Sequence, residues 1–164
     1  MIRELRSEKN KRHLGRFAAL LDGASLMVEV GSWIGESACI FAPRVKRLVC
    51  VDPWEDYLGE KGEEVFQSFL ENTNKWKCIE HLRVKSVQAA MLFQDGTIDA
   101  IYIDGVHNYQ SVKADILAWK PKLKNGGILA GHDYGPHAPG VIDAVNELLG
   151  TPAEIYGETT WRAK

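Results

Sequence analysis

Asp104 and His107 close the run Ile98-Asp-Ala-Ile-Tyr-Ile-Asp-Gly-Val-His107, and His132 and Asp133 close the run Gly126-Gly-Ile-Leu-Ala-Gly-His-Asp-Tyr134. Short apolar runs rich in β-branched residues read as buried parallel strands, and open α/β sheets bind ligands beyond the carboxyl ends of such strands. A neutral imidazole there, titrating near pH 7, can take a proton from a hydroxyl, so His107 and His132 are candidate general bases. The competing reading for each is a hydrogen-bonded structural histidine. His137 is placed in a loop, and His13 and His81 in structural or surface positions.

Two further edges lie upstream. Leu26-Met-Val-Glu-Val-Gly-Ser-Trp-Ile-Gly35 is a strand that ends in a glycine-bounded turn before a helix. Gly31 and Gly35 allow close approach of a ligand, and free N–H groups at a helix start attract an anion. The middle glycine of a dinucleotide fingerprint is missing and Trp33 stands in the turn, which favours a carboxylate over a pyrophosphate. Asp52 follows the next strand about twenty residues beyond Gly31, the placement of an acid that accepts two ribose hydroxyls. Its alternative is a cap on the turn through Pro53. Trp54 offers a ring to an adenine, or packing alone.

The elements that must hold these residues alternate along the chain, as in an α/β fold. A helix over 8–21 precedes strands at 26–30, 47–51, 81–85, 98–103 and 127–131. Helices are expected after the glycine turn as far as Pro43, then over 60–74, 86–93, 109–119 and 139–149, and Gly157 centres a terminal hairpin over 154–163 whose last strand runs antiparallel. The chain is expected to be one domain, residues 1–164, with 45% apolar and 26% charged residues. A net charge of -2 and a pI near 6.2 provide no general attraction for nucleic acid or anionic membrane. Arg3, Arg6, Lys9, Lys11, Arg12 and Arg16 nevertheless cluster at the start, as a solvated helix face or a docking patch for a polyanion. Cys39, Cys50 and Cys78 fit neither a zinc framework nor a disulfide scaffold, and no stretch has the apolar length of a membrane span or a signal peptide. The expected location is the cytoplasm.

On Val28-Glu-Val-Gly-Ser-Trp-Ile-Gly-Glu-Ser37, Val51-Asp-Pro-Trp54 and the two runs that open this section, the sequence resembles class I S-adenosylmethionine-dependent methyltransferases from about His13 to Ala163. It is most similar to the small-molecule O-methyltransferase branch that acts on macrolide sugars and catechols. The resemblance implies a doubly wound, mostly parallel seven-stranded sheet of order 3-2-1-4-5-7-6 with the last strand antiparallel. It also implies cofactor roles. Gly31, Ser32, Trp33 and Gly35, with the Ser37 hydroxyl, would hold the methionine carboxylate. Asp52 would hold the ribose, Ser86, Val87 and Gln88 would border the adenine, and Asp104 would stand near the sulfonium.

In metal-dependent relatives the equivalent strand ends ligate a divalent ion, which implies Asp104, His132 and Asp133 here, with Mg²⁺, Ca²⁺ or Mn²⁺ as the ion. Oxygen donors suit Mg²⁺ or Ca²⁺; an added imidazole from His132 or His107 suits Mn²⁺, Fe²⁺ or Zn²⁺. The expected activity is methyl transfer to a hydroxyl oxygen of a small molecule or sugar, with Asp104, His107 and His132 as catalytic residues. Either a partner subunit, as in a homo-oligomer, or the loops 56–60 and 135–140 would complete the pocket, or the acceptor is large. The alternatives are a nicotinamide-dependent oxidoreductase and a non-catalytic nucleotide-binding module.

Overall fold

The computed structural model describes residues 8–56, 58–157 and 159–164, with the backbone alone for 8–11. Its helices are α1 (Glu8–Ala18), α2 (Glu36–Phe41), α3 (Gly62–Thr73), α4 (Ser86–Ala90), α5 (Tyr109–Trp119) and α6 (Pro139–Leu149). Its strands are β1 (Met27–Val30), β2 (Leu48–Val51), β3 (Ile79–Leu82), β4 (Ile98–Ile103), β5 (Leu123–Gly131), β6 (Glu154–Tyr156) and β7 (Thr160–Arg162). They form one sheet in the order β3-β2-β1-β4-β5-β7-β6, in which β7 runs antiparallel to both neighbours. The topology is the one the resemblance implies.

Local chemistry explains where elements stop. Pro43 and Pro121 lie in 3-10 turns that end α2 and α5, because proline cannot donate the next helical hydrogen bond. Asn108 caps α5, its side chain accepting from the Ser111 N–H at 2.9 Å, and Pro139 opens α6. Two strands depart from expectation. β3 lies two to three residues upstream of 81–85, since its parallel register with β2 pairs Leu48 with Ile79 and Val51 with Leu82. It is an edge strand with partly exposed positions, so no continuous apolar run marks it. β5 begins at Leu123, which pairs with Ile98, and an irregularity then carries the ladder to Ile128 opposite Ala100.

Successive strand residues feed two cores, one on each face. Val28, Val30, Val49, Val51, Ile101 and Ile103 pack against Val112, Ile116 and Trp119 of α5 and Val141 and Val145 of α6. On the other face Met27, Leu48, Cys50 and Tyr102 meet Phe17, Phe41 and Phe69 from α1, α2 and α3. The Tyr102 ring lies 5.4 Å from Phe17 and 5.0 Å from Phe41, contacts worth about 0.5–1.5 kcal/mol each beyond burial. The three cysteines are free. Among the described residues no helix is long and apolar enough to cross a membrane.

Arg12 and Arg16 are exposed on α1. Arg3 and Arg6 lie outside the described residues, as do the side chains of Lys9 and Lys11. β1 sits between β2 and β4, so the chain reverses its direction of winding there. In open α/β sheets ligands bind at such a switch, beyond the carboxyl ends of the strands, here those of β1, β2 and β4.

Candidate functional site

The turn after β1 is built by close packing within the protein. Gly31 has φ +86° and its N–H donates to Val51 O at 2.8 Å. A Cβ on Gly31 would lie 2.2 Å from Asp104 O and 2.7 Å from Gly105 Cα. Gly35, at φ +80°, would place a Cβ 2.7 Å from Thr73 Cγ2 and 3.0 Å from Phe69 Cδ2. The glycines were expected to admit a ligand; what they admit first is the end of β4 and the flank of α3. The turn and Asp104 are thereby held together.

Asp52 stands beside that turn. Its Oδ2 accepts from Trp33 N at 3.0 Å and its Oδ1 from Trp54 N at 2.8 Å, so the cap on the Pro53 turn is present. Each carboxylate oxygen has a second lone pair, which leaves capacity for two hydroxyls. Burial pushes the Asp52 pKa up, against the opposing N–H groups of Trp54, Trp33 and Ser32. Trp54 is 3% exposed, its ring packed on Phe66 and Phe69 at 4.8 Å and its Nε1 donating to Trp33 O at 2.8 Å. Of its two readings the structure shows the packing one, and the ring has no free face for an adenine. Trp33 is the exposed tryptophan here, with Nε1 donating to Glu60 Oε2 at 3.0 Å.

Beneath the turn lies a carboxylate that sequence reasoning missed. Glu29 is fully buried, its Oε2 accepts from Ser32 Oγ at 2.7 Å and from Cys50 Sγ at 3.6 Å, and its Oε1 has no hydrogen-bond partner among the described residues. Burial pushes its pKa up to about 7, against the Ser37 and Ser32 hydroxyls. The signal was one acid inside the apolar run Met27-Val-Glu-Val30. Ser37, assigned to a methionine carboxylate, is itself 5% exposed and turned toward Glu29, where its hydroxyl opposes the rise in pKa.

The expected adenine border divides in the same way. Ser86 Oγ accepts from Trp119 Nε1 at 2.8 Å and hydrogen-bonds Asp115, whose pKa burial pushes up to about 6. Ser86 therefore joins α4 to α5, whereas Val87 and Gln88 are exposed on the first turn of α4.

The ends of β4 and β5 converge more tightly than expected. His107 Nε2 lies 3.0 Å from Asp133 Oδ2 and 3.6 Å from Asp104 Oδ1. His132 Nδ1 lies 3.1 Å from Asp133 Oδ2 and 3.8 Å from Asp104 Oδ1, and its Nε2 is 3.1 Å from Thr159 Oγ1. His137, expected in a loop, places Nε2 2.9 Å from Asp133 Oδ1 and so belongs to the cluster. Asp133 holds this centre at φ +58°, a left-handed backbone that aspartate tolerates better than most residues.

Burial raises the Asp133 pKa, but hydrogen bonds from His107, His132 and His137 outweigh it and hold the group far below the usual carboxylate range. The Asp104 and Asp133 carboxylates push His107 up to about 10, against burial. With no ion bound, the two carboxylates thus favour the protonated imidazole of His107. A cation between the same carboxylates would take the place of that proton. Donor atoms of Asp104, His107 and Asp133 lie within 4.8 Å of one another. One ion with bonds of about 2.0–2.6 Å could touch all three, so these residues fit a divalent metal. Relative to the expected set, His107 takes the place of His132 as the third donor.

A separate cleft of about 240 Å³, lined by Asp22, Asp99, Lys124, Asn125 and neighbours, lies at the opposite, amino-terminal edges of β1 and β4. Its two acids are already paired, Lys124 Nζ lying 2.7 Å from Asp99 Oδ1 and Arg44 Nη1 3.1 Å from Asp22 Oδ1, and the cleft presents none of the groups described above.

Known proteins share this fold. A family described as "Methyltransferase domain" matches residues 28–134. The uncharacterized protein y4gI of Sinorhizobium fredii is 28% identical over 116 residues, 65% of this chain and 13% of its own length. The uncharacterized protein R132 of Acanthamoeba polyphaga mimivirus is 28% identical over 135 residues, 74% of this chain and 58% of its own length. The chain thus spans less than two thirds of either relative. Among solved structures, the N-methyltransferase NodS from Bradyrhizobium japonicum superposes with a TM-score of 0.69 at 19% identity, over 94% of this chain and 96% of that one. CalS11, a TDP-rhamnose 3'-O-methyltransferase of calicheamicin biosynthesis, superposes at 0.64 and 19% identity, over 93% of this chain and 76% of that one.

Proposed function

The chain belongs to the methyltransferase-domain family, and from that premise we propose that it transfers a methyl group from S-adenosylmethionine to a hydroxyl oxygen of a small molecule or sugar. The observation that carries this reading is the meeting, at one sheet edge, of the Gly31–Gly35 turn, the Asp52 carboxylate and the Asp104–His107–His132–Asp133 cluster. The turn would receive the methionine carboxylate through its backbone N–H groups, and Asp52 the two ribose hydroxyls. Val87 and Gln88 would flank the adenine, and Asp104, packed on Gly31, would face the sulfonium. NodS and CalS11 methylate nitrogen and oxygen respectively, as their names state; the carboxylates and imidazoles beside Asp104 favour a hydroxyl acceptor here.

In the transfer the acceptor oxygen bonds the methyl carbon as the carbon–sulfur pair moves onto sulfur, leaving S-adenosylhomocysteine. The protein's task is alignment and removal of the hydroxyl proton. His132 is the imidazole left to receive that proton. With Nδ1–H donating to Asp133 Oδ2 at 3.1 Å, its Nε2, 3.1 Å from Thr159 Oγ1, is the nitrogen that would accept, and Asp133 stabilises the imidazolium that results. Asp104, His107 and Asp133 would hold a divalent ion, which when bound would orient the acceptor and lower the pKa of its hydroxyl. His137 orients Asp133 through the other carboxylate oxygen.

Calorimetric titration with S-adenosylhomocysteine tests the cofactor assignment. Micromolar binding is expected. Asp52→Ala removes a charged acceptor worth about 1.5–3 kcal/mol, a loss of roughly ten- to a hundred-fold in affinity. Unchanged affinity in that variant contradicts the ribose role.

A further inference from the structure

We propose that the ion held at the β4–β5 edge is a borderline transition-metal cation of the Mn²⁺, Fe²⁺, Co²⁺ or Zn²⁺ class, selected over Mg²⁺ and Ca²⁺ by His107. This rests on the assignment of the edge as the acceptor site and names its metal. Imidazole suits the later first-row metals, whereas Mg²⁺ and Ca²⁺ take oxygen donors.

Three observations converge on that selectivity. The donor set is mixed, Asp104 Oδ1, His107 Nε2 and Asp133 Oδ2, with the imidazole nitrogen 3.6 Å and 3.0 Å from the two oxygens. Ligands at right angles around an ion with bonds of about 2.1 Å stand roughly 3 Å apart, so small rearrangements bring all three onto one centre. The carboxylates are also held from behind. His137 Nε2 engages the other oxygen of Asp133 at 2.9 Å, and Asp104 is anchored by its backbone, its N–H donating to Val30 O at 2.8 Å while its carbonyl abuts Gly31. Partners behind the ligands of this kind orient metal sites. Finally, the His107 side chain is 47% exposed, whereas Asp104 and Asp133 are 6% and 14% exposed. The imidazole therefore sits at the mouth, free to adjust onto an ion seated between two fixed oxygens.

The test uses the full chain stripped with a chelator and no methyl donor, with Co²⁺ as the probe and Mg²⁺ as competitor. One Co²⁺ per chain is expected, with visible d–d absorption and no thiolate charge-transfer band, and Mg²⁺ should need about 100-fold higher concentration to displace it. His107→Asp makes the site all-oxygen and should reduce that preference by about ten-fold or more, through weaker Co²⁺ and retained Mg²⁺ binding. Asp104→Asn should weaken both ions. Displacement of Co²⁺ by equimolar Mg²⁺, a thiolate band, or an unchanged preference in His107→Asp would each overturn the proposal. If His107→Asp does not fold, the wild-type competition and spectrum still decide it. Because no cofactor is present, failure here leaves the S-adenosylhomocysteine titration to judge the cofactor site separately.

Discussion

Replacing Gly31 with alanine should destabilise the protein well beyond the ordinary penalty for a left-handed residue. Two glycines share nearly the same backbone angle, Gly23 at φ +87° and Gly31 at φ +86°, but a Cβ on Gly23 meets nothing within 4 Å whereas one on Gly31 falls 2.2 Å from Asp104 O. Gly23→Ala therefore measures the conformational cost alone, about 1–2 kcal/mol. Gly31→Ala adds an overlap of more than 1 Å with a backbone carbonyl of the adjacent strand, which must be relieved by parting β1 from β4. Overpacking of that severity costs about 1–3 kcal/mol more, for a total of roughly 2–5 kcal/mol. Urea denaturation at constant pH, with both variants compared at equal m, reads the difference directly. If Gly31→Ala is no less stable than Gly23→Ala, the close approach of the turn to Asp104, and with it the physical link between the two halves of the site, is wrong.

Two predictions concern pH. Glu29 titrates near 4.5 when unfolded and near 7 when folded, so the native state binds the extra proton. Its contribution to stability therefore falls between about pH 4.5 and 7, by about 3 kcal/mol, and is level above that; Glu29→Gln should remove the slope from urea-denaturation profiles, and an unaltered profile refutes the assignment. His107 is raised from 6.5 to about 10, so its ion pairs stabilise fully below pH 6.5 and are lost as pH rises through 10. Taken whole that shift is near 5 kcal/mol, but with the side chain 47% exposed, solvent screening reduces it to about 1–2 kcal/mol. In chelator-treated protein the His107 imidazole should remain protonated at pH 8 by NMR; a midpoint near 6.5 contradicts the pairing. Ser86→Ala, which strips the Trp119 indole N–H and Asp115 of their shared partner, should cost about 1–3 kcal/mol by chemical denaturation, and a neutral effect would contradict that junction.

The central strands were legible because both faces of the sheet are covered: β4 and the helices over 109–119 and 139–149 coincide with the expected ranges, and the terminal hairpin fixed the antiparallel β7. β3 was not, since an edge strand with exposed Glu80 and His81 leaves no apolar run to read. At the site, strand ends announce themselves in sequence, which is why Asp52, Asp104, His107, His132 and Asp133 could be named. Partnerships across the fold do not. Nothing local shows that Ser37 turns to Glu29, that Ser86 turns to Trp119, that Trp54 is enclosed by α3, or that His137 returns to Asp133.

The most direct measurement of the central claim is a map of backbone amide shifts on titration with S-adenosylhomocysteine. The largest changes are expected at Gly31–Gly35, Asp52, Val87, Gln88 and Asp104, along the carboxyl ends of β1, β2 and β4. Changes centred instead on Asp22, Asp99, Lys124 and Asn125, around the cleft at the opposite edge, would contradict it.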